Sequence, residues 1–416
     1  MSDLFEISKH IVVEFQTAGL ITHPFVIGTS LIGGTDVLDT SDYEPTEWTD
    51  FACEVYQVDV DAGVNLDMNV VTQESPGTAM MSFRGAQLDP AQNSLIGINV
   101  PVRIKVIPEP DTAPTTYGYL FFGYIDSINV RYDDQGKTYV DISATDFLGK
   151  LMNVEQKSYQ FLPYYPPFKE LSGGRWSNLM VTAAAIYPSA TFTVSEYCKT
   201  YMSNDDTPDP QNLGLYISDI VNTEGGFIRL SRSEAAVQFV GRDFYPTFEY
   251  EHSDNITAAS DFGFSNVHSD SADHWCLTDC QMTYDLTTPN KLRVQLTGDA
   301  TIYSETSDPS SISRYGEIAE VWEINAYDQT DVDLMTTDVN VTADNNRVKS
   351  VSTDMIRSDG KLRSCWSLEP VISAVRVYMN FSPTPLNQSY RVARVRHAIT
   401  SDSWDASYEL WRSFFG

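Results

Sequence analysis

Short segments rich in valine, isoleucine and aromatic residues follow one another from residue 51 to about residue 151, with turn-forming residues between them. Residues 102–106 alternate apolar and charged side chains, which is typical of a strand with one buried face. Asp133-Asp134-Gln135-Gly136 separates two such segments and predicts a turn. Strands at this spacing favour a sandwich or a barrel. The predicted strands of this part are residues 54–60, 79–83, 102–106, 119–125, 128–132 and 138–142.

Residues 156–250 have the pattern of a small α/β unit instead. Residues 176–187 predict a helix that follows a break at Gly173-Gly174. Residues 213–222 predict a second helix with one apolar face, which ends at Gly225-Gly226. The other predicted elements are a hairpin of residues 227–230 and 237–240 and an exposed loop over residues 203–210.

The strand pattern returns after residue 254 and continues to the end of the chain. The predicted strands here are residues 292–296, 321–324 and 374–378. Residues 408–415 are strongly aromatic, and we expect them to dock on a core or on a partner. Near the start, residues 11–15 predict a strand that leads into an irregular arm. The chain is therefore predicted to be mainly β, with two β domains flanking an α/β insert.

Acidic residues outnumber basic ones by 57 to 27, which gives a formal net charge of −30. A surface of this sign repels nucleic acid phosphates and anionic membranes, which argues against a DNA-reading function. The acids are spread along the whole chain. Two interpretations stay open: solubility or a salty habitat, and a channel lining along which DNA slides without sticking.

The five cysteines are odd in number and widely spaced, so they predict no disulfide framework. The N-terminus lacks a basic region followed by a long apolar core, and we expect synthesis in the cytoplasm without export by the usual route. The apolar stretch 179–187 is too short to span a bilayer.

Only a few groups of residues have the types that bind metals or catalyse reactions. His274, Cys276 and Cys280, with His268 nearby, contain metal-ligand types, but their spacing fits no standard zinc pattern, and both cysteines are predicted on one face of one strand. Glu224 is conceivable as a peptidoglycan-cleaving acid, but no second carboxyl is evident, so a solvated or capping glutamate is favoured. Asp133-Asp134-Gln135-Gly136 resembles half of a calcium loop and fits a hairpin turn better.

Several ordered stretches combine turn and strand residues. In the first β part they are Pro76-Gly77-Thr78-Ala79, Leu88-Asp89-Pro90, Pro101-Val102-Arg103-Ile104, Phe122-Gly123-Tyr124-Ile125-Asp126 and Val140-Asp141-Ile142-Ser143-Ala144-Thr145-Asp146. Later ones are Glu224-Gly225-Gly226, Ser311-Ile312-Ser313-Arg314-Tyr315-Gly316, Tyr390-Arg391-Val392 and Val395-Arg396-His397-Ala398-Ile399. In this order they resemble the minor tail proteins, or baseplate-hub-like tail hubs, of long-tailed bacteriophages, over residues 50–416.

The resemblance implies two related β-barrel-like hub domains. Residues 51–155 would form the first, 156–250 the α/β insert and 251–416 the second, after an N-terminal arm of residues 1–50. In that fold three chains close into a ring of six barrels that continues the tail tube to its tip. The implied location is the tail tip of the virion, assembled in the host cytoplasm. The implied partners are sister copies in a homotrimer, distal tail or tail-tube proteins, the tape-measure protein and tip or fibre proteins, with DNA only in transient passage and no membrane insertion.

The residues that carry the resemblance are turn and packing types. Gly77 and Gly123 admit close backbone approaches, and Asp89-Pro90 sets a turn in which the aspartate can accept a hydrogen bond from the backbone beyond it. Arg103 is predicted to face outward beside an acidic neighbour, and Tyr315-Gly316 to form a tight bend. We therefore expect no catalytic residue, no metal ligand, no cofactor and no enzyme activity.

Three functions are open on the sequence. The resemblance favours a structural tail hub. The alternative is a receptor- or glycan-binding tail protein that uses exposed aromatic residues such as Tyr159, Tyr164 and Tyr165. The third is an enzyme that degrades the cell wall, although no stretch of the chain is left over for such a module.

Overall fold

Strands are the main element of the chain, as the sequence predicts. The computed structural model describes residues 7–17, 48–65, 73–107, 118–152, 169–186, 191–194, 198–203, 213–231, 236–242, 263–265, 274–283, 289–339, 341, 347–357, 360–370, 373–380 and 386–411. The first β part contains α1 Ile7–His10, β1 Ile11–Gln16, β2 Trp48–Thr49, β3 Glu54–Asn65, β4 Gln73–Arg84, β5 Pro101–Val106, β6 Gly118–Tyr132, β7 Thr138–Asp146 and α2 Phe147–Met152.

The middle and the end of the chain contain the remaining elements. The middle has β8 Lys169–Leu171, α3 Ser172–Ile186, β9 Thr191–Val194, β10 Tyr201–Ser203, α4 Leu213–Glu224, β11 Phe227–Ser231 and β12 Ala236–Val240. The end has β13 Gly263–Ser265, β14 His274–Cys276, β15 Asp279–Thr283, β16 Lys291–Leu296, β17 Asp299–Ser307, α5 Pro309–Tyr315, β18 Ala319–Ile324, α6 Gln329–Asp338, β19 Arg347–Asp354, β20 Ala374–Met379, β21 Leu386–Thr400 and β22 Trp404–Trp411.

Each strand predicted from the sequence lies in a strand of the structure, but two predicted strands form a single strand. Residues 119–125 and 128–132 belong to the single strand β6, which carries a bulge in its middle. The predicted turn after β6 is confirmed. Asp133 Oδ1 accepts a hydrogen bond from the backbone N–H of Gln135 at 2.9 Å, and Gly136 has a φ of +76°.

Both predicted helices are confirmed, and one boundary is corrected. The predicted break at Gly173-Gly174 is wrong, because α3 begins at Ser172 and contains both glycines. A Cβ at Gly173 would lie 3.0 Å from the Sγ of Cys198, so tight packing at the first turn requires a small residue there. The end of α4 is as predicted, since Gly225 takes a φ of +63° directly after it.

Several predicted segments fall outside the described residues. They are residues 204–210 of the predicted loop, residues 18–47 of the N-terminal arm and residues 412–415 at the aromatic end. The predicted loop begins one residue too early, because Ser203 is the last residue of β10. It is buried, and its N–H donates to the carbonyl of Asn325 at 3.2 Å. Tyr408 and Leu410 at the aromatic end are fully buried, which confirms docking on a core.

Eight antiparallel strands form one continuous sheet in the order β15-β19-β22-β21-β3-β4-β7-β6. The ladder between β3 and β21 is the step that joins the first β part to the last one. It pairs Gln57 with Thr400 and Gly63 with Arg394 at its two ends. The two predicted β parts therefore share a sheet and lie on a common apolar core.

The eight-stranded sheet continues into two curls, one from its end strand β6 and one from its inner strand β21. On one side β6 passes to β5 and β1, and Phe15 of β1 reaches back across the core to Phe83 of β4, with ring centroids 6.1 Å apart. On the other side β21 passes to β20, β13 and β14. There the N–H of Leu277 donates to Ser265 of β13, and the N–H of Thr278 donates to Ser352 of β19. Both halves are barrel-like, although the described ladders close neither one.

Two smaller units have cores of their own. In the insert, α3 and α4 pack on a three-stranded sheet of β11, β12 and β9, with Trp176 and Phe239 at its centre. A second three-stranded sheet, β17-β16-β18, is covered by α6 and buries Leu292, Trp322 and Met335. Within the part of the chain that the structure describes, no helix is both long and apolar enough to cross a membrane.

The residues quoted for the family resemblance make close packing contacts. A Cβ at Gly123 would lie 2.3 Å from the carbonyl oxygen of Thr145, so only glycine fits there. Asp89 is buried and accepts hydrogen bonds from the backbone N–H of Ala91 and from the Tyr132 hydroxyl, as the predicted turn requires. Their predicted structural role is confirmed.

The charged position of the resemblance agrees with expectation in part. Arg103 has an acidic neighbour, Glu14, 2.5 Å away, but its side chain is only 15% exposed, so the predicted outward orientation is not confirmed. Gly316 ends α5 with a φ of +84°, which is the predicted tight bend.

Asp146 connects two of these stretches. It precedes α2, where its Oδ1 accepts from the backbone N–H of Gly149 at 3.0 Å and its Oδ2 from that of Gly77 at 2.6 Å. Burial of the carboxyl raises its pKa to about 7, although the two N–H groups act in the opposite direction. Asp146 is partly exposed as a residue, whereas its carboxyl group is buried.

We expect Asp146 to lower the stability of the protein as the pH rises from about 4 to about 7. The folded carboxyl holds its proton in this range, whereas an unfolded one, with a pKa near 3.8, has lost it, so low pH favours the folded state. Urea titrations at several pH values should show that the free energy of unfolding changes less with pH for Asp146→Asn than for the native chain. Asp134→Asn, at an exposed turn carboxyl, should keep the native dependence. An unchanged slope in Asp146→Asn would contradict the assignment.

Candidate assembly surface

The eight-stranded sheet turns one face to the cores and exposes the other. On β3, Val58 and Val60 are buried, whereas Asp59 and Asp61 lie on the opposite side, as the two-residue period of a strand dictates. We call the exposed side the junction face. It is formed by the outward side chains of β15, β19, β22, β21, β3, β4, β7 and the second half of β6.

The junction face is polar, and carboxylates outnumber guanidinium groups on it. Its acidic residues include Glu54, Asp59, Asp61, Asp141, Asp279, Asp354, Asp405 and Glu409. Its basic residues are Arg84, Arg131, Arg394 and Arg396. Short hydroxyl side chains lie between them, and Ser82 donates to Asp141 at 2.7 Å. A surface of this composition is negative over the strands of both halves.

Ion pairs cross the junction face at the joint between the two halves. Arg394 of β21 makes a bidentate contact with Asp61 of β3, at 2.6 Å and 2.8 Å. Arg396 lies 3.2 Å from the same carboxylate and 3.1 Å from Glu409 of β22. Because these side chains come from β3, β21 and β22, the network fixes the two halves to each other as well as the register of the ladder.

A groove of about 490 Å³ lies on the junction face above the joint. Asp59, Asp61, Asp405 and Arg396 contribute its charged walls. Met80 also lines it and is 62% exposed. The carboxylates of Asp59 and Asp61 are held by Gln57 and by arginines, so they serve as fixed charges here.

Glu224 belongs to the insert and not to the junction face, and its predicted solvated or capping role is wrong. It ends α4 with its side chain fully buried. Its carboxylate accepts hydrogen bonds from Ser172 Oγ at 2.7 Å and from the backbone N–H groups of Thr200 at 2.9 Å and Lys199 at 3.1 Å. The sequence did not anticipate this because the donors come from other elements.

The positive charge opposite Glu224 belongs to Arg242. Its guanidinium is buried, lies 3.7 Å from Glu224 Oε1 and donates to the Thr200 hydroxyl and to Asp338 Oδ2, the latter at 2.7 Å. Asp338 belongs to α6, which covers the other three-stranded sheet. The cluster therefore connects the insert to the three-stranded sheet covered by α6, and its role is structural.

The group of metal-ligand types around Cys276 is corrected as well. Cys276 and Cys280 do not share a strand, because Leu277 and Thr278 divide the segment into β14 and β15. His268 lies outside the described residues. Among the residues that the structure describes, no group of three or more histidine, cysteine, aspartate or glutamate side chains is placed to hold a metal ion.

Sequence reasoning found the residues that shape the fold and missed the surface that they build. The outward positions of β3 are visible in the alternation of residues 57–61, but their partners on β21 lie more than 300 residues away. Tyr159, Tyr164 and Tyr165, proposed for glycan contact, fall outside the described residues.

Solved structures provide the comparison that decides the fold. The tail protein from Neisseria meningitidis MC58 superposes with a TM-score of 0.56 at 10% sequence identity, covering 97% of each chain. The chain has the fold of phage tail proteins. The 43 kDa tail protein of prophage MuSo2 from Shewanella oneidensis gives a TM-score of 0.52 at 9% identity, covering 97% of this chain and 98% of that one. No family model and no curated protein matches the sequence.

The tail-protein fold confirms the resemblance drawn from the ordered stretches, which therefore carried fold information at an identity too low for a sequence match. Those stretches are mainly turns and close contacts, such as Gly123 against Thr145. Such positions depend on backbone geometry and close packing.

We expect Glu224→Ala to destabilise the protein by about 3–5 kcal/mol, because the change removes the acceptor of the hydrogen bonds from Ser172, Lys199 and Thr200 and leaves the buried Arg242 guanidinium with Asp338 in place of two carboxylates. Chemical denaturation measures this loss. Glu54→Ala is the matched control, since Glu54 pairs with Arg84 on the surface with its side chain 61% exposed, and it should cost about 0–1 kcal/mol. If the two substitutions lowered the free energy of unfolding equally, Glu224 would be solvated, as the sequence predicts, and the buried role would be contradicted.

Proposed function

We propose that the chain is a structural, non-catalytic protein of a phage tail tip, which assembles with copies of itself into a three-fold ring. The observation that carries the proposal is the uninterrupted sheet that crosses two barrel-like halves and exposes one face over its whole width. Three copies, each with two halves, would place six such halves around a central channel. The tail-protein fold and the family resemblance support this arrangement.

The junction face is the surface that would line the channel. Its carboxylates repel DNA phosphates over a distance of about 8 Å at physiological salt. Pairing of Asp61 with two arginines fixes the local structure, while Asp59 and Asp405 keep the face negative. A lining of this kind lets DNA pass without binding it, which agrees with the acidic composition of the whole chain.

Other surfaces would contact the neighbouring parts of the tail. The loop between β4 and β5 exposes Leu95 and Ile98, at 43% and 55%, although both are large apolar residues. Exposed apolar residues on a protruding loop are suited to a protein partner. Distal tail or tail-tube proteins, the tape-measure protein and tip or fibre proteins are the partners that this role requires.

Electron microscopy of the purified full-length protein, with light scattering on the same sample, tests the ring. We expect particles with three-fold symmetry and a mass of three chains, in a fraction that grows with protein concentration. A protein that stays monomeric at the highest soluble concentration would contradict the proposal.

Charge reversal on the junction face tests the channel. In a phage that carries this gene, Asp59→Lys combined with Asp405→Lys should slow DNA ejection about tenfold at low salt, and high salt should restore it because it screens the new attraction. Asp333→Lys with Glu317→Lys reverses the same number of exposed charges away from the face and should have no effect. Ejection that is equally fast in both variants would argue against a channel lining.

A further inference from the structure

The two smaller units are attached to the rest of the chain in different ways. We call the three-stranded sheet β17-β16-β18, with α5 and α6, the α6 unit. The insert shares an apolar core with the first β part, because Phe122 of β6 and Phe147 of α2 belong to the same cluster as Trp176 of α3. Among the described residues, the core of the α6 unit shares no member with that cluster or with the core of the large sheet.

The α6 unit contacts the insert through a short piece of strand pairing. Residues 325–327, directly after β18, lie antiparallel to β10. The N–H of Tyr327 donates to the carbonyl of Tyr201 at 2.8 Å. The N–H of Ser203 donates to the carbonyl of Asn325 at 3.2 Å. Because β8 pairs with the other edge of β10, residues 325–327 add a third strand to this small ribbon. We call this pairing, with the side chains that flank it, the clasp.

Two carboxylates of α6 belong to the clasp. Asp331 accepts a hydrogen bond from the backbone N–H of Tyr201 at 3.1 Å. Asp338 accepts one from the Nε of Arg242 at 2.7 Å. The contact therefore consists largely of hydrogen bonds and an ion pair, whereas aromatic side chains hold the insert to the first β part.

Asn325 adds two hydrogen bonds to α4. Its backbone N–H donates to the Thr223 hydroxyl at 3.0 Å, and its Nδ2 donates to Asp219 Oδ2 at 3.1 Å. The apolar members of the pairing are Met202 and Ala326, both fully buried. Each hydrogen bond of the clasp contributes little net stability, because water replaces it when the two units separate.

Two buried guanidinium groups beside the clasp have donors without a hydrogen-bond partner among the described residues. Arg175 donates through Nη1 to the carbonyl of Ser203 at 3.0 Å, but its Nε and Nη2 have no acceptor. Arg242 has no acceptor for its Nη2. A buried charged donor without an acceptor destabilises the state in which it is buried. The closed clasp is therefore weaker than its hydrogen bonds alone imply.

The chain connects the α6 unit to the large sheet at neighbouring positions. The unit lies between β15 and β19 in the sequence, and these strands are antiparallel neighbours. The chain leaves β15 at Thr283 and returns to β19 at Arg347, and these two residues lie opposite each other in the ladder. A unit attached at two neighbouring points can rotate about them without a change in the sheet.

We infer that the clasp opens as a whole: the α6 unit separates from the insert and rotates about the pair of Thr283 and Arg347, while its own core and the large sheet stay folded. Opening uncovers the backbone groups of Tyr201 and Ser203 at the edge of β10 and removes Asp338 from Arg242. A molecule that binds this uncovered edge stabilises the open state, and one that binds across the clasp stabilises the closed state.

Hydrogen exchange of the full-length native protein, followed by mass spectrometry, tests the opening. After correction for intrinsic rates, we expect the clasp amides of Tyr201, Ser203 and Tyr327 to exchange at least about tenfold faster than those of the ladder between β3 and β21. The amides of β16 should stay protected, because the core of the α6 unit stays folded. All samples are kept dilute, so that the measurement reports on single chains whether or not the ring forms.

A reversible lock provides the matched comparison. Met202 and Ala326 form a non-hydrogen-bonded antiparallel pair, because the hydrogen bonds of the pairing run between their neighbours. Such a pair has Cα atoms about 4.5 Å apart, a separation that a disulfide bridges. In Met202→Cys with Ala326→Cys, oxidation should slow exchange of the clasp amides at least about tenfold relative to the reduced form of the same variant. Met202→Cys alone, treated with the same oxidant, should show no such change.

Asp338→Asn tests whether the clasp opens as one body. The change weakens the contact with Arg242, and it should speed exchange of the clasp amides by about tenfold, although these amides are distant from it in sequence. Glu317→Gln is the matched control, since it removes an ion pair with Lys291 in the same unit at a position that is 53% exposed. It should leave exchange of the clasp unchanged.

Three results would overturn the inference. Clasp amides that exchange no faster than the β3–β21 ladder would show that the contact opens only when the whole protein unfolds. Exchange of β16 at the rate of the clasp would show that the α6 unit unfolds instead of rotating. A lock that leaves exchange of the clasp unchanged would show that separation of the two units is not the motion measured. None of these results bears on the proposed ring, which light scattering tests separately.

Discussion

The backbone ladder between β3 and β21 is the interaction on which the rest of the architecture depends. A free strand edge exposes a row of N–H and C=O groups that water or another strand must satisfy. By pairing two such edges with each other, the chain turns two curled sheets into one and buries Val58 against Ile399. Asp61 and its two arginines lie on the opposite face, and a slip of one residue would turn this carboxylate toward the core.

Local patterns allowed the strands and helices to be predicted, because alternation and glycine stops are properties of neighbouring residues. The end of α4 at Gly225 and the turn at Asp133 are of this kind. The pairing of strands that are hundreds of residues apart has no local signal.

The error on Glu224 has a different physical origin. In a chain with so many acids, a glutamate at a helix end is expected to face water, and nothing within α4 contradicts that expectation. Its burial depends on a guanidinium from Arg242 and on N–H groups near Thr200, which the fold brings to it. A buried charge is costly unless its partners are fixed in place, so such a site can be identified only when all contributing elements are positioned. The division of residues 274–283 into two strands is a comparable case, since it follows from the contacts of Leu277 and Thr278 with different neighbours.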